Sequence, residues 1–309
     1  MGRGDLAITI KNRRAVVVGM ARYENNPILE PVKEHDWESK HVFNPAMFAL
    51  GGKIHFLYRA IGEDKVSRLG YASSSNGYHI DERLDYPVFE PTTFFEKKGV
   101  EDPRVTVIDD ECITTFTAYN EIPQVGITSI SADNLLMKKW SWREHIYPFP
   151  SVINKNAVIF PKVMNRQYVM INRLDPSMYI TYSRDLQRWS KSKLLMKPRK
   201  DSWDCLKIGA AGPPIEIEEG WLQIYHGVDN QRTYRLGAII LGKDNPEKII
   251  YRTNEPFLEP REEYERNGLV PNVVFSCGAI KTQDKILISY GCADSVIGVS
   301  TFKIDEVLR

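Results

Sequence analysis

A short element bracketed by proline recurs five times, and it constrains the fold of this chain more than any other sequence feature. Its copies are spaced by 48 to 62 residues. A recurring period of this size is typical of repeat architectures, in which each unit buries its apolar face against its neighbour. The copies read NPILEP, YPVFEP, IYPFP, LLMKP and EPFLEP, and they end at Pro31, Pro91, Pro150, Pro198 and Pro260.

Three further segments recur between these prolines, and each has the composition of a β-strand. The first opens on polar or small residues, the second is rich in aromatic and β-branched residues, and the third alternates small and apolar residues. The links are too short for helical crossovers, so neighbouring strands of a unit are predicted to be antiparallel. The first strands are 43–50, 101–109, 155–163, 209–217 and 271–280; the second are 53–60, 112–119, 167–173, 220–228 and 285–293; the third are 68–75, 124–131, 178–185, 235–242 and 296–303.

With the proline-bracketed element as a fourth strand, five such units predict an all-β fold, a five-bladed β-propeller. Residues 1–309 would form one domain, with 1–21 as an N-terminal segment and 303–309 as a C-terminal closing segment. A large sandwich or two barrels are the alternative, but neither requires five repeats in phase. Helical periodicity is nearly absent, apart from 260–268 and 303–309.

Composition argues against several classes of function. A net charge of +1 gives no global field that would recruit nucleic acid or an anionic membrane. The sequence has neither a membrane-spanning apolar run nor a signal-peptide core, and its four cysteines lack CxxC spacing. We therefore expect a cytoplasmic protein with reduced thiols. The histidines are dispersed and no nucleotide motif occurs, so we expect no metal and no organic cofactor.

The repeat also predicts where a functional site lies. In a propeller the innermost strand of each blade lines a central channel, so the residues that open the first strands should surround one mouth of that channel. Carboxylates and amides bind hydroxyls, aromatic rings cover C–H patches and cations bind anions, and this mixture predicts a sugar site. The first strands supply Asn44, Asp102, Lys155 or Asn156, Gly209 and Asn272, and the second strands end near Arg59, Tyr119, Arg173, Tyr225, His226 and Asp294.

Several motifs resemble those of glycoside hydrolase family 130, the mannoside phosphorylases and β-mannosidases on a five-bladed propeller. The likeness runs from about residue 22 to the C-terminus. It implies that Asp102 is the catalytic general acid and that Asn44, Arg59 and Asp294 bind the sugar, to which the strand register adds Asn272 and Tyr225. The motifs are FNPA (43–46), VEDPRV (100–105), KNAVIFPKV (155–163), LKIGAAGPP (206–214), GWLQIYHGV (220–228), EEYERNGLVPNVVF (262–275) and YGCADSVIGV (290–299).

The resemblance also implies a mechanism. Asp102 would protonate the glycosidic oxygen through the 3-hydroxyl of mannose, while phosphate attacks the anomeric carbon from the opposite face and yields α-mannose 1-phosphate with inversion. Phosphate, the co-substrate, would be held by four basic residues: Lys155, Arg173, Lys207 and His226. Two positions depart from the family, because Lys155 stands where many members have arginine and Asn156 where relatives commonly have Asp.

The predicted activity is inverting phosphorolysis of β-linked manno-oligosaccharides, with β-1,2-mannobiose or its oligomers favoured over β-1,4 linkages. The partners would be that saccharide and inorganic phosphate, and a homo-oligomer agrees with the habit of the family. A β-mannosidase is the main alternative, which would need a second carboxylate as base. Its candidates are Glu216, Glu218 and Glu219. A non-catalytic carbohydrate-binding propeller and a protein-interaction propeller are the remaining alternatives.

Overall fold

The computed structural model describes residues 20–283 and 285–304, and its regular structure is almost entirely β. Strand β1 (Ala21–Arg22) precedes the first blade. The first blade contains β2–β5 (His41–Leu50, Lys53–Ile61, Ser67–Ser74 and Glu82–Arg83), and the second contains β6–β8 (Gly99–Ile108, Glu111–Tyr119 and Pro123–Ser131). One parallel pair, Ser67 with Gly99, joins these two blades.

The remaining three blades follow in chain order. The third contains β9–β12 (Lys155–Ile159, Tyr168–Leu174, Ser177–Ser183 and Lys193–Met196), and the fourth contains β13–β17 (Lys207–Ala210, Ile215–Ile217, Gly220–Val228, Tyr234–Leu241 and Ile249–Arg252). The fifth contains β18–β20 (Val274–Thr282, Lys285–Cys292 and Val296–Lys303). Short helices α1 (Ala132–Leu136) and α2 (Glu263–Arg266) and 3₁₀ turns at Asp36–Glu38 and Phe94–Glu96 lie in the connections. The five-bladed propeller predicted from the repeats is confirmed, and α2 lies within the predicted helical stretch 260–268.

The ring closes through the N-terminal strand. Strand β1 pairs with β20, Ala21 with Thr301 and Arg22 with Ser300, and so completes the fifth blade. The predicted closing segment 303–309 lies mostly outside the described residues, as does most of the predicted N-terminal segment 1–21. Within residues 20–283 and 285–304, no helix has the length and hydropathy that crossing a bilayer requires.

The proline-bracketed element differs from its prediction as a full fourth strand. In each blade one apolar residue of this element pairs with the third strand, but in only one of the described blades does that residue belong to a regular strand, β12. Proline lacks the N–H that a ladder needs, so the pairing cannot extend far. The five pairs are Leu29–Ile297, Phe89–Leu69, Ile146–Ile127, Met196–Met178 and Leu258–Leu236.

The apolar core consists of layers between neighbouring blades. Leu222 and Ile224 of the fourth blade, for example, pack in one cluster with Ile286 and Ile288 of the fifth. Because each strand alternates its faces, a blade contributes apolar side chains to the layers on both of its sides. The polar residues at the strand ends are thereby left for the channel mouth.

A buried carboxylate holds the loop before the inner strand in four of the described blades. Each is fully buried and contacts a tyrosine and a basic residue of its blade; the four are Glu38, Glu96, Asp204 and Glu265. In the fifth blade, Glu265 accepts hydrogen bonds from Tyr290 Oη at 2.9 Å and from Arg22 Nε and Nη2 at 2.8 and 2.9 Å. Because Arg22 belongs to β1, this contact fastens the closing strand to the connection that precedes the inner strand of the fifth blade.

Candidate active site at the channel mouth

The inner strands surround a pocket of about 180 Å³ at the mouth of the channel. Strand β18 contacts β2, β2 contacts β6, β6 contacts β9 and β9 contacts β13, so these blades meet at one axis. Most of the predicted site residues lie on one wall or another of this pocket. Its lining is Asn44, Arg59, Asp102, Lys155, Asn156, Arg173, Lys207, Tyr234, Val270, Val273, Phe275 and Asp294.

Three blades use the same backbone device to present a polar side chain. Asn44, Asp102 and Asn156 have φ of +49°, +50° and +54°, and each lies where the pairing of its inner strand shifts register. A β-bulge redirects the side chain of the extra residue, and Asn and Asp tolerate the left-handed conformation better than most residues. The sequence therefore places Asn or Asp where the inner strand must break its ladder to face the pocket.

The other two blades depart from the predicted register. In the fifth blade the irregularity falls between Phe275 and Gly278, and Asn272 is an exposed residue two positions before β18 that does not line the pocket. In the fourth blade Gly209 occupies the register position, where a Cβ would lie 2.7 Å from Asn156 Oδ1 and 2.6 Å from His226 Cε1. Glycine there leaves room for both neighbours.

Asp102 is held by an amide and an arginine. Asn44 Nδ2 donates a hydrogen bond to its Oδ1 at 2.9 Å, and Arg59 Nη1 lies 3.4 Å from the same oxygen. Burial acts to raise the pKa of Asp102, but the charges of Arg59, Lys155 and Arg104 outweigh it and hold that pKa below its ordinary value. Asp102 is therefore ionised at neutral pH in this structure.

Arg59 is fixed by contacts on several sides. Its Nε donates to Ser67 Oγ at 2.9 Å, its Nη2 donates to Glu101 Oε1 at 2.8 Å, and its guanidinium lies 4.7 Å above the ring of Phe43. A guanidinium held in this way presents its donors to the pocket in one orientation, which suits recognition of sugar hydroxyls.

The predicted anion cluster is present with one change. Lys155, Arg173 and Lys207 line the pocket, whereas His226 is fully buried behind Arg173, with Arg173 Nη1 3.4 Å from its Nε2. Burial lowers the pKa of His226 well below its ordinary value, and Arg173, Arg104 and Lys207 lower it further. The imidazole is therefore neutral and accepts at Nε2 from Arg173. The structure thus places three of the four predicted phosphate-binding residues on the wall, and the fourth, a neutral histidine, behind Arg173.

Asp294 is the other carboxylate that the described residues place on the pocket wall. Burial raises the pKa of Asp294 to about 7; Arg59 opposes this shift, and the negative charges of Asp102 and Glu101 reinforce it. The two carboxylates of one pocket thus have pKa values displaced in opposite directions, an arrangement common in sites where acids take different roles.

Tyr225 does not reach the pocket, contrary to its predicted role. Its hydroxyl donates to the buried Asp204 at 2.9 Å, and its ring stacks on Trp203 at 5.4 Å, so it fastens the fourth blade internally. Sequence reasoning also missed Tyr234, whose ring lies 5.5 Å from Lys207 Nζ on the pocket wall. Tyr234 opens a third strand, whereas the predicted site residues come from the first and second strands and the turn after the last of these.

The candidate hydrolase bases lie elsewhere. All three are exposed: Glu216 lies within β14 and pairs with Lys243 at 3.2 Å, and Glu218 and Glu219 form the turn that joins β14 to β15. They do not line the pocket. In the described part of the chain, no group of three or more His, Cys, Asp or Glu side chains could hold a metal ion.

A propeller whose axial pocket brings carboxylates and amides together with cations is typical of a carbohydrate-active enzyme. The family model of glycoside hydrolase family 130, described as beta-1,4-mannooligosaccharide phosphorylase, matches residues 19–309. This chain belongs to that family.

Two curated relatives come from Thermoanaerobacter sp. (strain X514). Its beta-1,2-mannobiose phosphorylase is 42% identical, covering 93% of this chain and 98% of the relative. Its 1,2-beta-oligomannan phosphorylase is 37% identical, covering 94% and 99%. A solved structure described with GH130 glycoside hydrolases that target beta-1,2 mannosidic linkages in Candida mannan superposes with a TM-score of 0.85 at 27% identity, covering 93% of this chain and 94% of the other.

Proposed function

We propose that this chain is an inverting phosphorylase of β-linked manno-oligosaccharides. It converts a terminal β-mannosyl unit and inorganic phosphate to α-mannose 1-phosphate and a saccharide shortened by one unit. The observation that carries the proposal is the set of three cations, Lys155, Arg173 and Lys207, on the wall of the pocket that also holds Asp102. A group that carries more than one negative charge near neutral pH is bound by such a cluster, and a neutral water nucleophile has no need of it.

The mechanism follows from these positions and the family resemblance. A phosphate oxygen attacks the anomeric carbon on the face opposite to the glycosidic bond, that bond breaks, and the departing oxygen receives a proton that originates on Asp102 and passes through the mannose 3-hydroxyl. Phosphate is already anionic, so no base is required. Because Lys155 lowers the pKa of Asp102, an anion bound at Lys155 offsets that effect and favours the protonated acid.

The β-1,2 linkage is the favoured substrate. Both relatives named above carry β-1,2 specificity in their names, whereas the family description names β-1,4 oligosaccharides. The loops that would contact the acceptor sugar, 61–67, 118–123 and 228–234, are connections between strands, where specificity varies most readily within one fold.

Inverting hydrolysis is the second candidate, supported by the solved structure described with β-1,2-mannoside hydrolases. Such an enzyme needs a base on the face of the sugar opposite to the acid. Glu216, Glu218 and Glu219 do not line the pocket, which leaves Asp294 among the described wall residues. A hydrolase would thus depend on Asp294 as a base, whereas a phosphorylase needs it for sugar binding.

One incubation separates the two candidates. The purified protein is mixed with β-1,2-mannobiose or β-1,4-mannobiose, with and without phosphate, and both mannose and mannose 1-phosphate are measured. We expect sugar phosphate only when phosphate is present, and the faster disaccharide identifies the linkage. Release of mannose at the same rate without phosphate would contradict phosphorolysis. The Asp102→Asn variant controls for contaminating activity.

We further propose a cytoplasmic homo-oligomer that needs no cofactor besides inorganic phosphate. The thiols support the location, since Cys112, Cys277 and Cys292 are free and buried and Cys205 is free and partly buried. Light scattering after size-exclusion chromatography measures the oligomer, and fractionation of the source cell measures the location. Dialysis against EDTA should leave activity unchanged; loss that a divalent metal restores would refute the cofactor statement.

A further inference from the structure

Glu101, the acid next to Asp102, contacts two cations of the pocket wall, Arg59 and Lys155. Its Oε1 accepts from Arg59 Nη2 at 2.8 Å, and its Oε2 accepts from Lys155 Nζ at 3.1 Å. The Glu101 side chain is only 7% exposed and does not line the pocket. Its two oxygens are therefore divided between the predicted sugar-binding arginine and the predicted phosphate-binding lysine.

We propose that Glu101 is a positioning residue that couples phosphate binding to sugar binding. This inference rests on the proposed function and deepens it. On the sugar side, the carboxylate helps to orient the Arg59 guanidinium. On the phosphate side, it competes with phosphate for the Lys155 ammonium. When phosphate binds, Lys155 turns from Glu101 to the anion, and Glu101 then interacts chiefly with Arg59.

The chemistry of lysine makes this competition effective. An ammonium group is a compact point charge, so a closer approach to phosphate weakens its contact with Glu101; an arginine fork could contact both partners at once. The Lys155 side chain is 26% exposed, which places the pair between a surface and a buried ion pair. Pairs of partly exposed charges have modest strength, equivalent to about two- to fivefold in affinity.

Removal of the Glu101 charge should therefore change the affinities for the two substrates in opposite directions. In Glu101→Gln, Lys155 is released, and we expect the Kd for inorganic phosphate to fall by about two- to fivefold. The neutral amide orients Arg59 less strongly, so the KM for mannobiose should rise. A residue that only supported the fold would weaken both. Glu144→Gln, which neutralises an exposed acid in the connection after β8 of the same blade and outside the acceptor loops, is the matched control and should change neither constant.

A double-mutant cycle with Lys155→Met tests whether the phosphate effect passes through the lysine. In the Lys155→Met background, Glu101→Gln should no longer lower the Kd for phosphate but should still raise the KM for mannobiose. A phosphate effect of the same size in both backgrounds would overturn the proposal. Lys155→Arg is a third variant, and it leaves Glu101 intact. It should lower the Kd for phosphate without raising the KM for mannobiose. Weaker phosphate binding in that variant would also count against the proposal.

Calorimetry with inorganic phosphate alone distinguishes this inference from the proposed function. If the wild-type chain does not bind phosphate, the proposed function fails and the coupling fails with it. If the wild-type chain binds phosphate but Glu101→Gln binds it no more tightly, the coupling alone is wrong. Thermal melting of each variant confirms that the chain is folded before its constants are compared.

Discussion

Arg173→Ala is the substitution that tests the anion subsite most selectively. Arg173 lies on the pocket wall, its guanidinium is 3.4 Å from the buried His226, and its Nε lies 3.3 Å from Asp175 Oδ1. The Asp175 side chain is 58% exposed, so loss of that pair should cost little stability. The main consequence of the change is therefore the loss of a pocket cation that we propose binds phosphate.

The size of the effect follows from the chemistry of the lost contact. A hydrogen bond to a charged group contributes about 1.5–3 kcal/mol, which corresponds to about 10- to 150-fold in affinity. We expect the KM for phosphate to rise by that factor in Arg173→Ala, with little change in the KM for mannobiose. Arg173→Lys keeps the charge but loses the forked guanidinium, so its KM for phosphate should lie between those of the alanine variant and the wild type.

Initial rates over a grid of phosphate and mannobiose concentrations measure both constants. Arg184→Ala removes an exposed arginine from the same blade and serves as the matched control. The reasoning is refuted if Arg173→Ala leaves the KM for phosphate within twofold of wild type, or if both Michaelis constants rise together. Either result would mean that Arg173 supports the pocket as a whole and does not bind the anion.

Three further predictions concern the acid, its partner carboxylate and the closing strand. Asp102→Asn should keep the melting temperature near wild type while turnover falls by at least about 100-fold, because the amide cannot supply a proton; activity near wild type would contradict the assignment. Asp294 has a pKa of about 7 against an ordinary 3.8, so between these values the folded state holds a proton that the unfolded state has lost. The free energy of unfolding should therefore fall as pH rises from about 4 to 7. Asp294→Asn should remove this pH dependence from melting curves, and an unchanged pH dependence would exclude Asp294 as its source. Arg22→Met leaves the buried Glu265 without its cation, so we expect a loss of about 3–5 kcal/mol and a melting temperature lower by at least about 6 °C; Arg143→Ala, which breaks an exposed pair, is the control, and equal shifts would refute the closure argument.

The repeat pattern predicted the strands because their signals are local. Alternation and β-branched residues predicted the middle strand of the fourth blade as 220–228, which is its observed extent. The strand that opens the fifth blade was placed at 271, whereas it begins at Val274, and Asn272 was consequently assigned to a pocket that it does not reach. The register shift of this inner strand lies between Phe275 and Gly278, where the sequence has no Asn or Asp to mark it.

The site was predictable where the repeat and the family motifs coincide, and less so where contacts are distant in sequence. Asn44, Asp102 and Lys155 lie on the pocket wall as their strand register predicted. The burial of His226 behind Arg173 and the pairing of Tyr225 with Asp204 depend on packing within and between blades, which alternation alone does not specify. The contact of Glu101 with Lys155 joins residues of two blades and likewise required coordinates.

The central claim is that phosphate, and not water, attacks the mannosyl carbon. Phosphorus and proton NMR of the purified enzyme with β-1,2-mannobiose and phosphate would follow the product and its anomeric configuration directly. The account predicts that α-mannose 1-phosphate forms from the first time point in amounts equal to the mannobiose consumed, and that the reaction stops when phosphate is omitted. Free mannose from both sugar units at an undiminished rate without phosphate would contradict it.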